Sequence, residues 1–195
     1  MFTIVGLGNP GVEYADTRHN VGWLALSAFV DTHTLPSFVQ SARYAGMISE
    51  GVVEDVEIGL LLPTTFMNNS GTSVTKYLKE QKEARGLVVI HDDVDIPFGE
   101  VRIAYDRGAG GHNGVQSIIN ARTTKEFIRI RIGVTHKNFF GLVRRPRGET
   151  LSSFVLEPFS KSEQGALSGV YAKVDTALML ILTKGVQTAM QEVNV

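Results

Sequence analysis

Three glycines and a proline crowd into residues 6–11 (Gly6, Gly8, Pro10, Gly11), directly behind the apolar stretch at 2–5. A short buried strand is predicted for 2–5, because the run is apolar, rich in strand formers and stopped by glycine. The glycines and the proline then force a tight backbone turn at the strand's end. Tyr14, Arg18, His19 and Asn20 follow, with no apolar period until Val21. A strand ending this way presents polar groups at the carboxyl edge of a sheet, where open α/β sheets bind ligands. Gly6-x-Gly8-x-x-Gly11 also matches the glycine pattern of dinucleotide sites. That pattern requires a helix opening within the glycines and an acidic residue ending a second strand. Pro10 and Gly11 delay the helix here and Asp31 follows it directly, so no nucleotide cofactor is expected.

Beyond the turn the chain alternates helical and extended patterns. A helix is predicted over 21–32, with Trp23 as core packing, then strands at 42–48 and 56–62 around a turn near Glu50 and Gly51. A helix runs from the polar residues 63–71 to about 80. The continuous apolar run 87–90 reads as a strand buried on both faces, ending in His91-Asp92-Asp93-Val94-Asp95. A further strand at 101–105, a helix at 115–121 and a strand at 127–134 follow; the last alternates apolar and basic residues, which predicts one wetter face. Residues 136–150 have no period and hold Lys137, Arg144, Arg145 and Arg147 beside Phe139 and Phe140. From about 160 a final helix carries the stripe Leu167, Val170, Tyr171, Val174, Leu178, Ile181 and Leu182. This alternation predicts an α/β fold: a single domain with a twisted, mostly parallel or mixed sheet flanked by helices. At 195 residues, with no repeat or dividing linker, the chain suits one core.

Composition narrows the setting. The chain has no cysteine, which excludes disulfides and thiolate metal sites and suits a reducing cytosol. No secretory signal and no uninterrupted apolar stretch of membrane length are read, so a soluble, cytoplasmic protein without a membrane partner is expected. A net charge of −1 argues against indiscriminate coating of nucleic acid but leaves room for a local basic patch.

Four predicted strand ends gather uncommon polar residues: Asn9 with His19, Asn68, Asp92, and His112 with Asn113. Singly, each has a structural explanation as a turn, a cap or a satisfied histidine. Together they point to one cleft. Histidine is the natural general base near neutral pH, and a carboxylate on its other ring nitrogen fixes its tautomer. His19 and an aspartate of the 91–95 segment form the obvious pair. With no cysteine and no G-x-S-x-G elbow, a covalent nucleophile is lacking, so water attacks directly. Amide side chains would then hold a carbonyl and its developing oxyanion.

The segments VGLGNPGVEYADTRHNVG, PTTFMNNSG, HDDVDIPFG and GGHNGVQSI stand in the order and spacing of bacterial-type peptidyl-tRNA hydrolase, which the chain resembles over residues 2–134 and again at Phe154-Val155-Leu156 and the final helix. The resemblance implies a monomeric α/β hydrolase that cleaves the ester joining a peptide to the 3′ end of tRNA, without metal or cofactor. It implies that His19 activates water and that Asp92 orients it. Asn9 would read the peptide backbone and so reject aminoacyl-tRNA with a free amine, since a buried amide left unpaired penalises the wrong substrate. Asn68 and Asn113 match substrate-binding amides. Tyr14 and Phe66 match positions that contact tRNA, consistent with an aromatic face near the terminal adenosine. Met67 and His112 match the cleft wall.

The chain departs from the family pattern at three points. Asp106 and Arg107 interrupt the glycine run before GHNG, Ala104 stands where many members carry a basic residue, and Val134-Thr135-His136-Lys137 replaces the usual turn after RIRIG. Lys137, Arg144, Arg145 and Arg147 are expected to supply phosphate contacts from a basic, lid-like loop at about 136–150, the alternative being a solvated basic loop. Two other readings stand beside the hydrolase: a catalytically inactive RNA-binding relative, and a metal-dependent hydrolase using His91, Asp92, Asp93 and Asp95 as ligands.

Overall fold

Side chains alternate in period two along the first strand, β1 (Phe2–Gly6), sending Ile4 to one face of a sheet and Val5 to the other. In this computed structural model, which describes residues 1–80, 86–136, 143 and 149–194, that alternation recurs in the neighbouring strands and divides the core in two. The chain forms α1 (Val21–Thr32), β2 (Val39–Ser41), β3 (Gly46–Val53), β4 (Val56–Pro63), α2 (Ser70–Leu78), β5 (Gly86–Pro97), β6 (Val101–Tyr105), α3 (Asn113–Arg122), β7 (Ile128–Thr135), α4 (Glu149–Leu156), α5 (Lys161–Lys184) and α6 (Val186–Val193). The seven strands lie in the order β2-β3-β4-β1-β5-β7-β6. The inner four, β4, β1, β5 and β7, run parallel, and the antiparallel β2, β3 and β6 flank them. Leu61, Val89 and Val5 pack with Val74 and Tyr77 of α2 and Val115 and Ile118 of α3; Ile4, Leu60, Val88 and Ile90 pack with α1 and α5 on the other side. The expected mixed α/β sheet between helices is thus what the chain builds.

Several expectations need correction. The hairpin between β3 and β4 turns at Glu54 and Asp55, both with positive φ (47° and 60°), whereas Glu50 and Gly51 lie inside β3. A two-residue turn with both φ positive matches strand twist, so pairing selected it over the glycine upstream. The strand read as ending at Ile90 continues to Pro97, because β7 keeps pairing with it through Asp92 opposite Ile132 and Asp93 opposite Gly133. Strand β7 is buried along all eight residues. Its predicted wet face is absent because Arg131 Nε donates to Asp93 Oδ2 at 2.7 Å and Arg129 Nη1 to the Gly108 carbonyl at 2.8 Å. The final helix is two: α5 stops at Gly185 (φ 82°) and α6 follows. Both β2 and α4 have no counterpart in the predicted pattern.

α5 starts with a reciprocal capping box between Ser160 and Glu163. By length and composition it is apolar enough to cross a membrane, although Lys173 and Asp175 interrupt its apolar run, so no uninterrupted apolar stretch of that length is present in it. Leu167, Val170, Val174, Leu178 and Ile181 are instead buried against the sheet. At the C-terminus, Asn194 donates to the Ile103 carbonyl (2.9 Å) and accepts from the Ile103 N–H (2.8 Å), closing part of the free edge of β6.

The proposed basic residues Lys137, Arg144, Arg145 and Arg147, with Phe139 and Phe140, lie outside the described residues. Ala104 is buried on β6, Asp106 takes a positive φ of 48°, and His136 bonds Glu163 at 3.0 Å.

Candidate active site

The loop after β1 is placed by a close approach. A Cβ on Gly22 would run into the Ile90 carbonyl and the backbone of Leu7, so only glycine lets the first turn of α1 lie against the ends of β1 and β5. Two short 3₁₀ turns, Val12–Tyr14 and Arg18–Asn20, fill the gap between the glycines and α1. Asn20 then holds Asn9 by its backbone: its Oδ1 accepts the Asn9 N–H (2.8 Å) and its Nδ2 donates to the Asn9 carbonyl (3.0 Å). The Asn9 side chain reaches across to the next loop, where Oδ1 accepts the Met67 N–H at 2.8 Å. This fixes the amide's orientation and leaves Nδ2 as the donor that Asn9 offers the cleft.

His19 is buried, and its Nδ1–H donates to Asp92 Oδ1 at 2.8 Å. The tautomer follows from the carboxylate, which only accepts. Asp92 sits within β5, not in a loop, and is 3% exposed. The same Oδ1 accepts His112 Nε2–H at 2.9 Å. His112 is the N-cap of α3: its Nδ1 accepts the N–H groups of Gly114 (3.2 Å) and Val115 (3.3 Å). A third imidazole, His91, packs edge-on to His112 with ring centroids 4.7 Å apart and donates from Nδ1 to the Asp92 carbonyl at 2.7 Å.

These contacts set the charges. Burial lowers the His19 pKa, but the Asp92 charge and its hydrogen bond outweigh this and hold it above the ordinary imidazole value. Burial works against ionised Asp92, yet His19 and His112 together keep the carboxyl well below the usual range. His91 goes the other way: burial, aided by His112, pushes it down to about 3. The pair His19–Asp92 is therefore a base with a permanently ionised partner.

Asn9, His19, Phe66, Met67, Asn68, Asp92, His112 and Asn113 all line one cavity of about 470 Å³. Asn68 and Asn113 are exposed at its rim, Met67 is buried in its wall, and Phe66 stands 59% exposed at the lip. Tyr14 lies outside the lining and meets Phe66 edge-on, ring centroids 6.4 Å apart. The far wall is α4, through Leu151, Ser152, Val155 and Leu156. The pattern of residues did not reveal that wall. Nor did it reveal the clasp of Asn20, whose one sign is an amide placed just before a helix that it does not cap. Arg18 anchors α4 from behind: Nη2 binds both Glu163 oxygens (3.2 and 3.1 Å), and its guanidinium lies 4.6 Å from the Phe154 ring centre.

Of the four candidate metal ligands at 91–95, Asp92 and Asp93 line the cavity, and Asp93 is held by Arg131. Asp95 is exposed on the extended strand. Among the described residues, the ligand-type atoms that gather, within 4.8 Å of one another, belong to His19, Asp92 and His112, and each imidazole is hydrogen-bonded to Asp92.

A mixed, mainly parallel sheet between helices, with this cleft at its carboxyl edge, defines an α/β protein. The family model described as peptidyl-tRNA hydrolase matches residues 3–195. The peptidyl-tRNA hydrolase of Syntrophotalea carbinolica is 40% identical over 196 residues, covering 100% of this chain and 97% of the relative. That of Thermodesulfovibrio yellowstonii is 37% identical over 197 residues, covering 100% and 99%. The crystal structure of peptidyl-tRNA hydrolase from Acinetobacter baumannii superposes with a TM-score of 0.85 at 32% identity, covering 100% of this chain and 95% of that one. The chain belongs to the peptidyl-tRNA hydrolase family.

Proposed function

We propose that the protein hydrolyses the ester between a peptide and the 3′-terminal ribose of tRNA, with His19 as general base. His19 Nε2, the ring nitrogen left for the cavity, takes a proton from water as the water oxygen attacks the ester carbonyl. Asp92 stabilises the imidazolium that forms. As the tetrahedral intermediate collapses, the imidazolium returns its proton to the departing ribose oxygen, so peptide acid and free tRNA leave and the base is restored. Asn9 Nδ2, with Asn68 and Asn113, donates to the peptide carbonyl and the developing oxyanion. Phe66, backed by Tyr14, offers a face for the terminal adenosine. The segment at 136–150 supplies phosphate contacts, and the protein works as a cytoplasmic monomer.

The observation that carries this reading is the 2.8 Å bond from buried His19 to buried Asp92 in the cavity that Asn9 also lines. Asn9 Oδ1 is already committed to Met67, so the amide faces substrate as a donor, as recognition of a peptide carbonyl requires. A metal reading would need Asp92 Oδ1 to exchange two N–H donors for a cation while Asp93 stays with Arg131.

The test is cleavage of N-blocked aminoacyl-tRNA beside its unblocked counterpart, in the presence of a chelator, by wild type and His19→Ala. Cleavage of the blocked substrate alone, and a loss of roughly 10²–10⁴-fold in the variant, are expected. An unimpaired variant, or dependence on added divalent cation, overturns the mechanism.

A further inference from the structure

His112 has both ring nitrogens in use within the protein. Nδ1 takes two backbone N–H groups from the first turn of α3, and Nε2–H is aimed at Asp92 Oδ1, the oxygen that also holds His19. Gly114 keeps this arrangement tight. A Cβ there would collide with Met67 and Leu7 and come within 3.2 Å of His112 Cε1. The His112 ring is packed between His19 (centroids 4.9 Å apart) and His91 (4.7 Å). An acceptor role at Nδ1 puts the ring proton on Nε2.

We propose that His112 is a positioning residue for the hydrolysis: it ties the Asp92 carboxylate to the N-terminus of α3 and so sets where, and with how much charge, that carboxylate meets His19. The inference rests on His19 being the base. Asp92 Oδ1 shares its charge between two N–H donors, so the support that His19 receives is divided. The carboxylate's position is also fixed from three sides: β5 pairing, the His91 bond to its carbonyl, and the His112 bond to its side chain. His112 thereby links the helix that presents Asn113 to the strand that presents the carboxylate. A cleft-wall role in binding substrate, the family-level expectation, would instead need a ring nitrogen open to the cavity.

Two isosteres separate the two nitrogens. Asparagine mimics Nδ1 and is a good helix N-cap, so His112→Asn keeps α3 capped but loses the donor to Asp92. Glutamine reaches the Nε2 position and restores the donor at the expense of the cap. The measurement is kcat, KM and the pH profile of kcat/KM on N-blocked aminoacyl-tRNA, with melting temperature alongside. His112→Asn is expected to melt near wild type, to lose about tenfold in kcat at unchanged KM, and to move the acid limb of the profile upward. The sign follows from release of Asp92 Oδ1 to His19 alone: a less divided carboxylate raises the imidazole pKa. The groups facing the pair are His91, His112 and Asp93, the last held by Arg131. His112→Gln is expected to melt lower yet recover most of the lost kcat and the wild-type limb. A rise in KM with kcat intact, an unmoved limb in His112→Asn, or equal losses in both variants overturns the proposal. Activity retained by His19→Ala would instead remove the reading beneath it, which is a separate result.

Discussion

Among single residues, Asp92 and His112 spend their side-chain hydrogen bonds inside the protein, while His19 Nε2 and Asn9 Nδ2 are left for the cleft. Among the described residues Asp92 is the carboxylate that serves two imidazoles, so its replacement has a predictable sign. Asp92→Asn removes the charge that raises the His19 pKa and leaves burial, which lowers it. The acid limb of kcat/KM, set by loss of the neutral base, is therefore expected to move to lower pH, while kcat falls by up to roughly 10⁴-fold through loss of tautomer control. A pH–rate profile of the variant beside wild type checks both. His91 carries a stability prediction. Its folded pKa of about 3 lies below the 6.5 of the free side chain, so the unfolded chain binds a proton that the folded chain refuses. That contribution is complete above pH 6.5 and drains away as pH falls towards 3, at up to about 1.4 kcal/mol per pH unit. Denaturation midpoints of wild type and His91→Gln between pH 7 and 4 are expected to diverge accordingly. His19, Asp92 and the amides were legible as candidates because they gather in polar segments behind predicted strands. The doubled use of Asp92 was not, since a helix N-cap twenty residues away supplies the second donor. Arg129 and Arg131 were misread for a related reason: alternation reports polarity, and a buried guanidinium with a carboxylate or carbonyl partner has the same signature as a wet one.

Among the elements, the cleft depends on four neighbours of the sheet meeting at its carboxyl edge: the β1 loop, the loop after β4, the start of α3 and the inner side of α4. Helices and central strands were legible because their apolar periods run long and their ends carry glycine or a cap. The edge strand β2 has three residues, too few for alternation to register. The reach of β5 into its charged segment is dictated by β7, a partner distant in the chain. α4 owes its place to Arg18, which joins the turn carrying His19 to Glu163 at the start of α5. Removing Arg18 takes the guanidinium from Glu163, which is 2% exposed, and leaves it His136 and the Ser160 N–H as partners. Arg18→Ala is expected to cost about 3–5 kcal/mol, the usual result of breaking one side of a buried ion pair. Thermal melts check that cost, and because α4 walls the cleft, KM for blocked aminoacyl-tRNA is expected to rise with it.

For the molecule as a whole, a net charge of −1 means that attraction to tRNA has to come from where cations sit and not from their number. Lys137, Arg144, Arg145 and Arg147 are four of the chain's 19 lysines and arginines within eleven residues. Neutralising all four is expected to weaken tRNA binding and to flatten the plot of log affinity against log salt by about one unit for each phosphate no longer neutralised. An unchanged slope assigns the segment to solvent. The sheet has two outer strands, and the molecule treats them unequally. One is only three residues long; the other, β6, has its main chain answered at Ile103 by a lone amide from Asn194. That amide imitates the next strand of a sheet that stops there. At that residue the donor and the acceptor that an open β edge would offer as a template to another chain are already taken.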